Sequence, residues 1–160
     1  MGVDASSYNE CIKNCALESI YSDKIYGEVF NRSTPTKTAE YEISLDPSAK
    51  QTNETTIEAV LETKLSGFLR AKATKPAWVI EARVVAIFSI DEKTELSDEC
   101  VELFSTRQGV LTLLPYLRAA VSSLSTDIGI GPITLPLMKL FPKLHEEPEL
   151  EVLETESAGK

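Results

Sequence analysis

The chain has 160 residues, a hydrophobic fraction of 42%, a net charge of −9 and a pI near 4.7. This length and composition predict one globular domain with a sizeable core. The acidic balance argues against a nucleic-acid partner, because phosphate binding needs a basic face, and no apolar run approaches the roughly 18–20 residues that cross a membrane.

The first 16 residues are treated as an N-terminal segment. Asp4 to Leu17 is compatible with a short helix that places Cys11 and Cys15 on one face. A metal site is disfavoured there because the only histidine, His145, is far away in the chain. The N-terminus does not match a signal peptide and the cysteine count is odd, so we expect reduced thiols and a cytoplasmic location.

A first strand is expected from Leu17 to Phe30, where the hydrophobic period changes to two. Neither face of this strand is wholly apolar, which is typical of an edge strand or of a subunit contact. One face would carry Leu17, Tyr21, Ile25 and Val29, and the other Ile20, Tyr26 and Phe30.

A second strand is expected to be short. It would run from Glu40 to Leu45 and stop at Asp46-Pro47, because proline lacks the N–H that a strand ladder needs. Ser48 to Asn53 would then be a polar loop.

The third and fourth strands carry the clearest pattern in the chain. From Glu54 to Ala71 apolar and polar residues alternate, which predicts an antiparallel sheet with one dry and one wet face. After a turn at Lys72–Pro76, Ala77 to Ile90 has one wholly apolar face that must be covered, while its other face carries Glu81 and Arg83. The apolar positions are Ile57, Ala59, Leu61, Leu65 and Leu69, followed by Trp78, Ile80, Ala82, Val84, Ala86, Phe88 and Ile90.

Helical signals begin at Ser97-Asp-Glu, a typical N-cap with acids in the first turn. The main helix is expected over Thr106–Asp127, with a kink or a broken start at Pro115 and an end at Gly129. Residues 128–142 are apolar but rich in Pro and Gly, so we expect an extended crossing segment. These patterns indicate an α+β fold with an antiparallel sheet, over which the extended segment would cross.

No combination of residues typical of catalysis is found, which argues against an enzyme and predicts no cofactor and no metal. Gly129-Ile-Gly131 is not followed by the residues of a phosphate-binding loop. The sheet, the helix and the crossing segment instead carry more aliphatic surface than a two-layer domain buries. Such surplus indicates an oligomer interface or a binding groove, and a pocket for an apolar small molecule remains an alternative.

Three segments in order resemble the SecB export chaperones and their SecB-like relatives. Ile20–Glu28 (IYSDKIYGE) resembles the family's first strand, and Ala77–Ile90 resembles the strand that ends in Ile-Phe-Ser-Ile. Leu114-Pro-Tyr-Leu-Arg118, with Gly131–Pro136 (GPITLP) after the helix, resembles the family's helix opening and crossover loop. The resemblance assigns residues 17–144 to the chaperone domain and 145–160 to an acidic tail.

The resemblance implies an α+β fold: a four-stranded antiparallel sheet with one long kinked helix and a crossover segment packed on one face. It also implies a tetramer, built as a dimer of dimers, that binds unfolded polypeptides in long grooves without ATP. Binding would use apolar contacts and backbone hydrogen bonds to extended segments. By residue-for-residue transfer, the groove would be lined by Tyr26, Tyr41, Trp78, Phe88, Tyr116, Ile133, Leu135 and Leu137.

The family also docks the SecA translocation motor through acidic residues on the wet sheet face. Glu28, Val79 and Glu81 match that patch. Lys24 departs from it, and Asp23, one position away, is expected on the opposite face.

The chain end also departs from export chaperones, because Pro136 and Pro142 leave room for only a turn or two of helix. That shape is similar to SecB-like chaperones of toxin–antitoxin systems, which hold an antitoxin. The resemblance therefore implies either a chaperone for Sec export or a dedicated antitoxin chaperone.

Overall fold

Four long strands form one antiparallel sheet in the computed structural model, which describes residues 8–9, 12–31, 40–90 and 96–136. The strands are β1 (Cys15–Val29), β2 (Glu40–Asn53), β3 (Thr56–Phe68) and β4 (Trp78–Ile90), in the spatial order β1-β4-β3-β2. The central strands are thus β3 and β4, which have the strongest alternation in the sequence, and the edges are β1 and β2.

One face of the sheet, called here the inner face, is covered by the helices that follow β4. Its central residues are almost completely buried, as the alternation predicted: Ile57, Ala59 and Leu65 are 0% exposed. Every apolar position predicted on β4 is buried as well. The opposite, outer face is occupied mainly by charged and polar side chains. Burial of the inner face supplies most of the apolar stabilisation of the fold.

The second strand is longer than predicted. β2 continues through Asp46-Pro47 to Asn53, and Pro47 is paired with Leu61. The expected strand end and the expected loop at 48–53 were therefore wrong. A proline is tolerated because β2 is an edge strand, where a residue can lack an N–H without breaking a ladder on both sides. A two-residue turn, Glu54–Thr55, then leads into β3.

Two register shifts change the faces of β1. They lie between Leu17 and Ser19 and between Ser22 and Lys24, where β1 pairs with β4. A bulge adds one residue and so reverses the alternation beyond it. The predicted grouping of β1 side chains was therefore wrong: Tyr21 and Tyr26 share the outer face. The predicted N-terminal helix also could not extend to Leu17, because β1 begins at Cys15.

The helical layer consists of three consecutive segments rather than one helix from Thr106. They are α1 (Asp98–Phe104), a π-helical turn (Ser105–Gly109) and α2 (Val110–Asp127). Ser97 caps α1 as predicted, since its hydroxyl accepts a hydrogen bond from the Cys100 N–H at 3.2 Å. At Gly109 an added Cβ would lie 3.3 Å from the Cβ of Ala59, so the absence of a side chain allows this turn to approach β3 closely.

After α2 the chain reverses sharply into the crossover segment. Gly129, the predicted helix end, has a φ of 84°, a value that favours glycine. The Ile133 N–H donates to the hydroxyl of the buried Ser125 at 2.9 Å, which ties the segment to the last turn of α2. Leu135 is completely buried in the core.

Some predictions fall outside the described residues. The structure does not describe the predicted groove residue Leu137, the rest of the crossover segment, the 145–160 tail or Cys11. Within the described residues, no helix has the length and apolar character needed to span a membrane.

Candidate functional site

Three of the predicted groove residues are core residues in the single chain. Trp78 and Phe88 are each 3% exposed and Leu135 is 0% exposed. The ring of Phe88 packs edge-on against Phe104, with centroids 5.0 Å apart. These side chains therefore form the apolar floor under the helical layer, and a bound chain would reach them only where that layer leaves the sheet uncovered.

The accessible part of the predicted set is aromatic. Tyr41 is 59% exposed on the inner side of the edge strand β2, and Tyr116 is 52% exposed on α2. Tyr41 pairs with Gly67, which in turn pairs with Trp78. Gly67 leaves this row open for the Trp78 indole, because a Cβ there would lie 2.0 Å from the indole Cε2. Half-buried Ile133 packs against the same apolar core.

Tyr26 does not join this group. It pairs with Glu81 on the outer face, and its hydroxyl donates a hydrogen bond to the carboxylate of Glu28. That hydrogen bond to the charged Glu28 carboxylate raises the pKa of Tyr26, because loss of the phenol proton would break the bond and leave a phenolate beside the carboxylate. The structure therefore places Tyr26 beside the predicted docking residues and away from the inner-face aromatic residues.

The three predicted docking residues lie together on the outer face. Glu28 pairs with Val79 across β1 and β4, and Glu81 follows two positions along β4. Glu81 is engaged by two cations: its carboxylate lies 2.5 Å from Lys24 Nζ and 3.3 Å from Lys64 Nζ. The hydrogen bond from Lys24, followed by that from Lys64, lowers the pKa of Glu81. Glu81 is therefore an anion largely neutralised by its neighbours.

Asp23 is also on the outer face, contrary to the prediction. Its carboxylate lies 3.1 Å from the guanidinium of Arg83, which is on the outer side of β4. The register shift between Ser22 and Lys24 explains this, because the extra residue of a bulge is released from strict alternation. Asp23 and Lys24 thus both lie on the outer face, where the alternation predicted Lys24 without Asp23.

Further apolar surface lies on β1 and α2. On the inner side of β1, Leu17 is 47% and Ile25 is 55% exposed. The sequence of α2 carries Arg118 and Asp127 as its only charged residues, and its exposed positions include Leu111 at 68%. Exposed apolar side chains of this size on an edge strand and on a helix with so few charges are unusual for an isolated domain. The near absence of charged residues along α2 is the sequence signal that could have predicted this exposed apolar surface.

The described residues contain no group of three or more His, Cys, Asp or Glu side chains arranged to hold a metal ion. The exposed surfaces of the inner face, β1 and α2 are instead suited to apolar contacts and hydrogen bonds.

Comparisons with known proteins agree on the family. A family model described as preprotein translocase subunit SecB matches residues 7–147. The SecB-like chaperone SmegB of Mycolicibacterium smegmatis is 32% identical over 54 residues, which is 34% of this chain. That match spans only 37% of the relative's own length.

A solved structure matches most of the chain in three dimensions. It is a SecB-like chaperone of Mycobacterium tuberculosis in complex with a ChAD peptide from the HigA1 antitoxin. The TM-score is 0.71 and the identity 16%, over 83% of this chain and 96% of the other. At this identity the likeness establishes the fold, and it confirms the predicted α+β architecture.

Proposed function

This chain belongs to the SecB family, and from that premise we propose that it is an ATP-independent holding chaperone that binds unfolded polypeptides on the inner-face side of its sheet. The observation that carries the proposal is the exposed Tyr41 beside the Trp78–Gly67 row, at the open edge of an apolar face. An exposed aromatic ring next to an edge strand offers an extended chain both apolar contact and backbone partners. The proposal locates this activity in the cytoplasm.

Two client classes are supported by different observations. A dedicated antitoxin client is favoured by the structural neighbour, whose bound partner is an antitoxin peptide. Preproteins destined for the Sec translocase are favoured by the adjacency of Glu28, Val79 and Glu81 on the outer face, where the SecA motor would dock. We give the antitoxin class precedence, because Lys24 and Lys64 already neutralise Glu81 and thus weaken the acidic character of that patch.

The proposed assembly is a homotetramer, formed as a dimer of dimers. Its support is the exposed apolar side chains on β1, such as Ile25, and the outward face of α2 around Leu111, where Arg118 is the one charged residue. Pairing two β1 edges would remove an aggregation-prone edge, and packing helix faces together would bury the rest. Static light scattering of the purified protein should give the mass of four chains, and a mass of one chain would contradict this assembly.

The holding activity is tested by diluting a chemically unfolded protein into buffer without ATP and following aggregation by light scattering. The wild type should suppress aggregation, saturating near one tetramer per client. Tyr41→Ser should weaken suppression several-fold, because an aromatic anchor at a polypeptide interface commonly carries a large share of the binding energy. Tyr21→Ser is the matched control: Tyr21 is also an exposed tyrosine, at 47%, but lies on the outer face.

Equal loss of activity in the two variants would contradict an inner-face site. The client class is resolved by competition between a preprotein with its signal sequence and an antitoxin peptide. Tighter binding of the preprotein would reverse the order given above.

A further inference from the structure

The hairpin between β3 and β4 ends in a tip, residues 69–76, that carries only basic charge. Arg70, Lys72 and Lys75 are all exposed there, and no acidic residue occurs within residues 63–80. Among the described residues, none of these three cations forms an ion pair with a carboxylate. On a chain with a net charge of −9, this tip is a local concentration of positive charge. We call it the basic tip.

Hydrogen bonds fix the backbone of the basic tip. The Ala77 N–H donates to the Gly67 C=O at 2.7 Å and closes the strand ladder below the tip. Within the tip, the Ala73 N–H donates to the Arg70 C=O at 3.2 Å, which forms a turn. Lys72 is the third residue of that turn and has a φ of 63°, a value that favours glycine. A charged side chain is thus held at a position where the backbone conformation alone would select glycine.

The basic tip adjoins the proposed client site. Tyr41, Gly67 and Trp78 form one row across the sheet, and the tip begins two residues beyond Gly67. The ring of Tyr41 in that row is 59% exposed. Half-buried Leu69, the first residue of the tip, packs against the apolar core and so fixes the tip beside the row. An occupant of the basic tip would therefore lie at one end of the client site.

A complementary charge is present in the same chain. Residues 145–160, called here the acidic segment, carry six Glu and one Lys. From Glu149 to Val152 acidic and apolar residues alternate. In an extended chain, this alternation puts carboxylates on one side and apolar side chains on the other. The carboxylates can then meet the basic tip while Leu150 and Val152 face the aromatic row.

The acidic segment is long enough, and begins close enough, to reach the basic tip. The end of α2 lies over the same end of the sheet, because a Cβ at Gly27 would lie 3.2 Å from the Leu124 side chain and Gly27 pairs with Ile80. Ile133 of the crossover segment is hydrogen-bonded to Ser125 at that end of α2. The chain from residue 133 to 145 can span about 40 Å, whereas Ile80 and the tip are separated by at most about 18 Å of chain.

Other anionic occupants are less suited to the basic tip. A nucleic acid or an anionic membrane would have to approach a molecule with a net charge of −9. A segment of the same chain pays little of the cost of association, because its tether keeps it at an effective concentration on the order of millimolar. Charge and tether therefore both favour the acidic segment.

We propose that the acidic segment docks on the basic tip of the same chain and covers the Tyr41 end of the client site until a client displaces it. The effect on clients rests on the proposed function, whereas the docking itself does not. Ion pairs between exposed side chains are weak and are screened by salt, so the docked segment is readily released. Clients with more apolar contact than the acidic segment would be admitted preferentially.

Carbodiimide coupling of the full-length protein tests the docking. The reagent joins a Lys amine to a neighbouring carboxylate as an amide and takes up the water that is lost, and mass spectrometry maps the linked peptides. Lys72 or Lys75 should be linked to Glu side chains of the acidic segment. Linkage of Lys64 to Glu81, 3.3 Å apart, is the internal reference. Tip lysines that stay unlinked, or that link two chains and double the mass on a denaturing gel, would overturn the proposal.

The effect on client access is measured by fluorescence anisotropy with a labelled, uncharged apolar peptide. The tip variant is Arg70→Gln/Lys72→Gln/Lys75→Gln. It should bind the peptide several-fold more tightly than the wild type at low salt, because the acidic segment is released, and about 0.5 M salt should remove the difference. A matched control, which should bind as the wild type does, removes the same charge from exposed lysines outside the tip: Lys13→Gln/Lys50→Gln/Lys64→Gln.

The two measurements separate docking from the holding function. Equal affinity of the wild type, the tip variant and the control for the peptide would overturn the covering of the client site. If none of the three bound the peptide while the links between the tip lysines and the acidic segment formed, the holding function would fail and the docking would stand. Binding of the wild type to vesicles of anionic lipid, lost in the tip variant, would overturn the proposal, because a lipid surface would then be the occupant.

Discussion

The inner and outer faces of the sheet are made by alternate residues of the same strands, yet different forces stabilise them. On the inner face Ile57, Leu65 and Ile80 are completely buried. On the outer face, ion pairs join each strand to its neighbour, and their lysine side chains are 45 to 66% exposed. Burial contributes steadily with area, whereas exposed ion pairs contribute little because water and salt compete for the charges.

This difference separates stability from recognition in the molecule. A change at a buried residue of the inner face should unfold the protein before it alters specificity, whereas a change at the exposed Tyr41 of that face should alter client binding first. The outer face can change its charges at small cost, and the pairing of Lys24 with Glu81 is one such arrangement. One apolar row complicates the contrast: Val85 is only 2% exposed although it lies on the outer face beside Tyr21. Stability and docking can therefore be tested by separate substitutions on the two faces.

The largest expected effect is on the inner face. Trp78→Ala should lower the free energy of unfolding by about 3–5 kcal/mol, because it removes a large buried ring and leaves a cavity. Urea unfolding followed by circular dichroism measures the loss. Tyr21→Ala, which removes an exposed outer-face ring, should cost far less. If Trp78→Ala left stability intact and weakened client binding per folded molecule, Trp78 would belong to the binding surface instead of the core.

An intermediate effect is expected at Gly67. A methyl group there would lie 2.0 Å from the Trp78 indole, so Gly67→Ala should destabilise the protein by about 1–3 kcal/mol through overcrowding. Gly27→Ala is the matched control and should cost less, because the atoms nearest to its new Cβ would be side-chain carbons of Leu124 and Ile128 at 3.2 Å.

The Gly67 effect should depend on the indole. In a double-mutant cycle, Gly67→Ala should cost less in the background of Trp78→Leu than in the wild type. Additive costs would show that the indole is not what Gly67 accommodates.

The smallest effect is expected on the outer face and depends on pH. Lys24 and then Lys64 lower the pKa of Glu81 below its ordinary value of 4.5. A group whose pKa is lowered by folding stabilises the fold above its unfolded pKa, and this contribution is lost as pH falls through the lowered value. The stability difference between the wild type and Glu81→Gln should therefore be greatest at neutral pH and should shrink below about pH 4.5.

Thermal unfolding over a pH series measures this difference, and about 1 M salt should reduce it at neutral pH. A difference that widened toward acid pH would contradict the assigned ion pairs.

Several parts of the fold could be predicted because their signals are local and strong. The alternation in β3, the apolar face of β4, the Ser97 cap and the end of α2 at Gly129 all depend on residues within one element. The extent of β2 could not be predicted in the same way. Asp46-Pro47 is a valid stop signal within the strand, and only the edge position of β2 makes it harmless.

The candidate site was less predictable than the fold. Glu28, Val79 and Glu81 are brought together as the transferred residues implied. Tyr26 is separated from the inner-face aromatic residues, because it lies two positions from Glu28 and therefore on the same outer face. Trp78 and Phe88 are aromatic and apolar, and composition alone cannot distinguish a groove floor from a core. Burial depends on which elements cover a side chain, and that information lies elsewhere in the chain.

The sequence by itself determined which residues face the core in β3 and β4, where the main helix ends and which family the chain belongs to, because periodicity, capping and ordered motifs are properties of short segments. Only the tertiary structure decided the faces of β1, the position of Asp23 beside Lys24 and the continuation of β2 past Pro47. Each of these depends on register with a neighbouring strand or on packing between distant elements. A shift of one residue against a neighbour changes the face of every side chain that follows, and no local pattern records it.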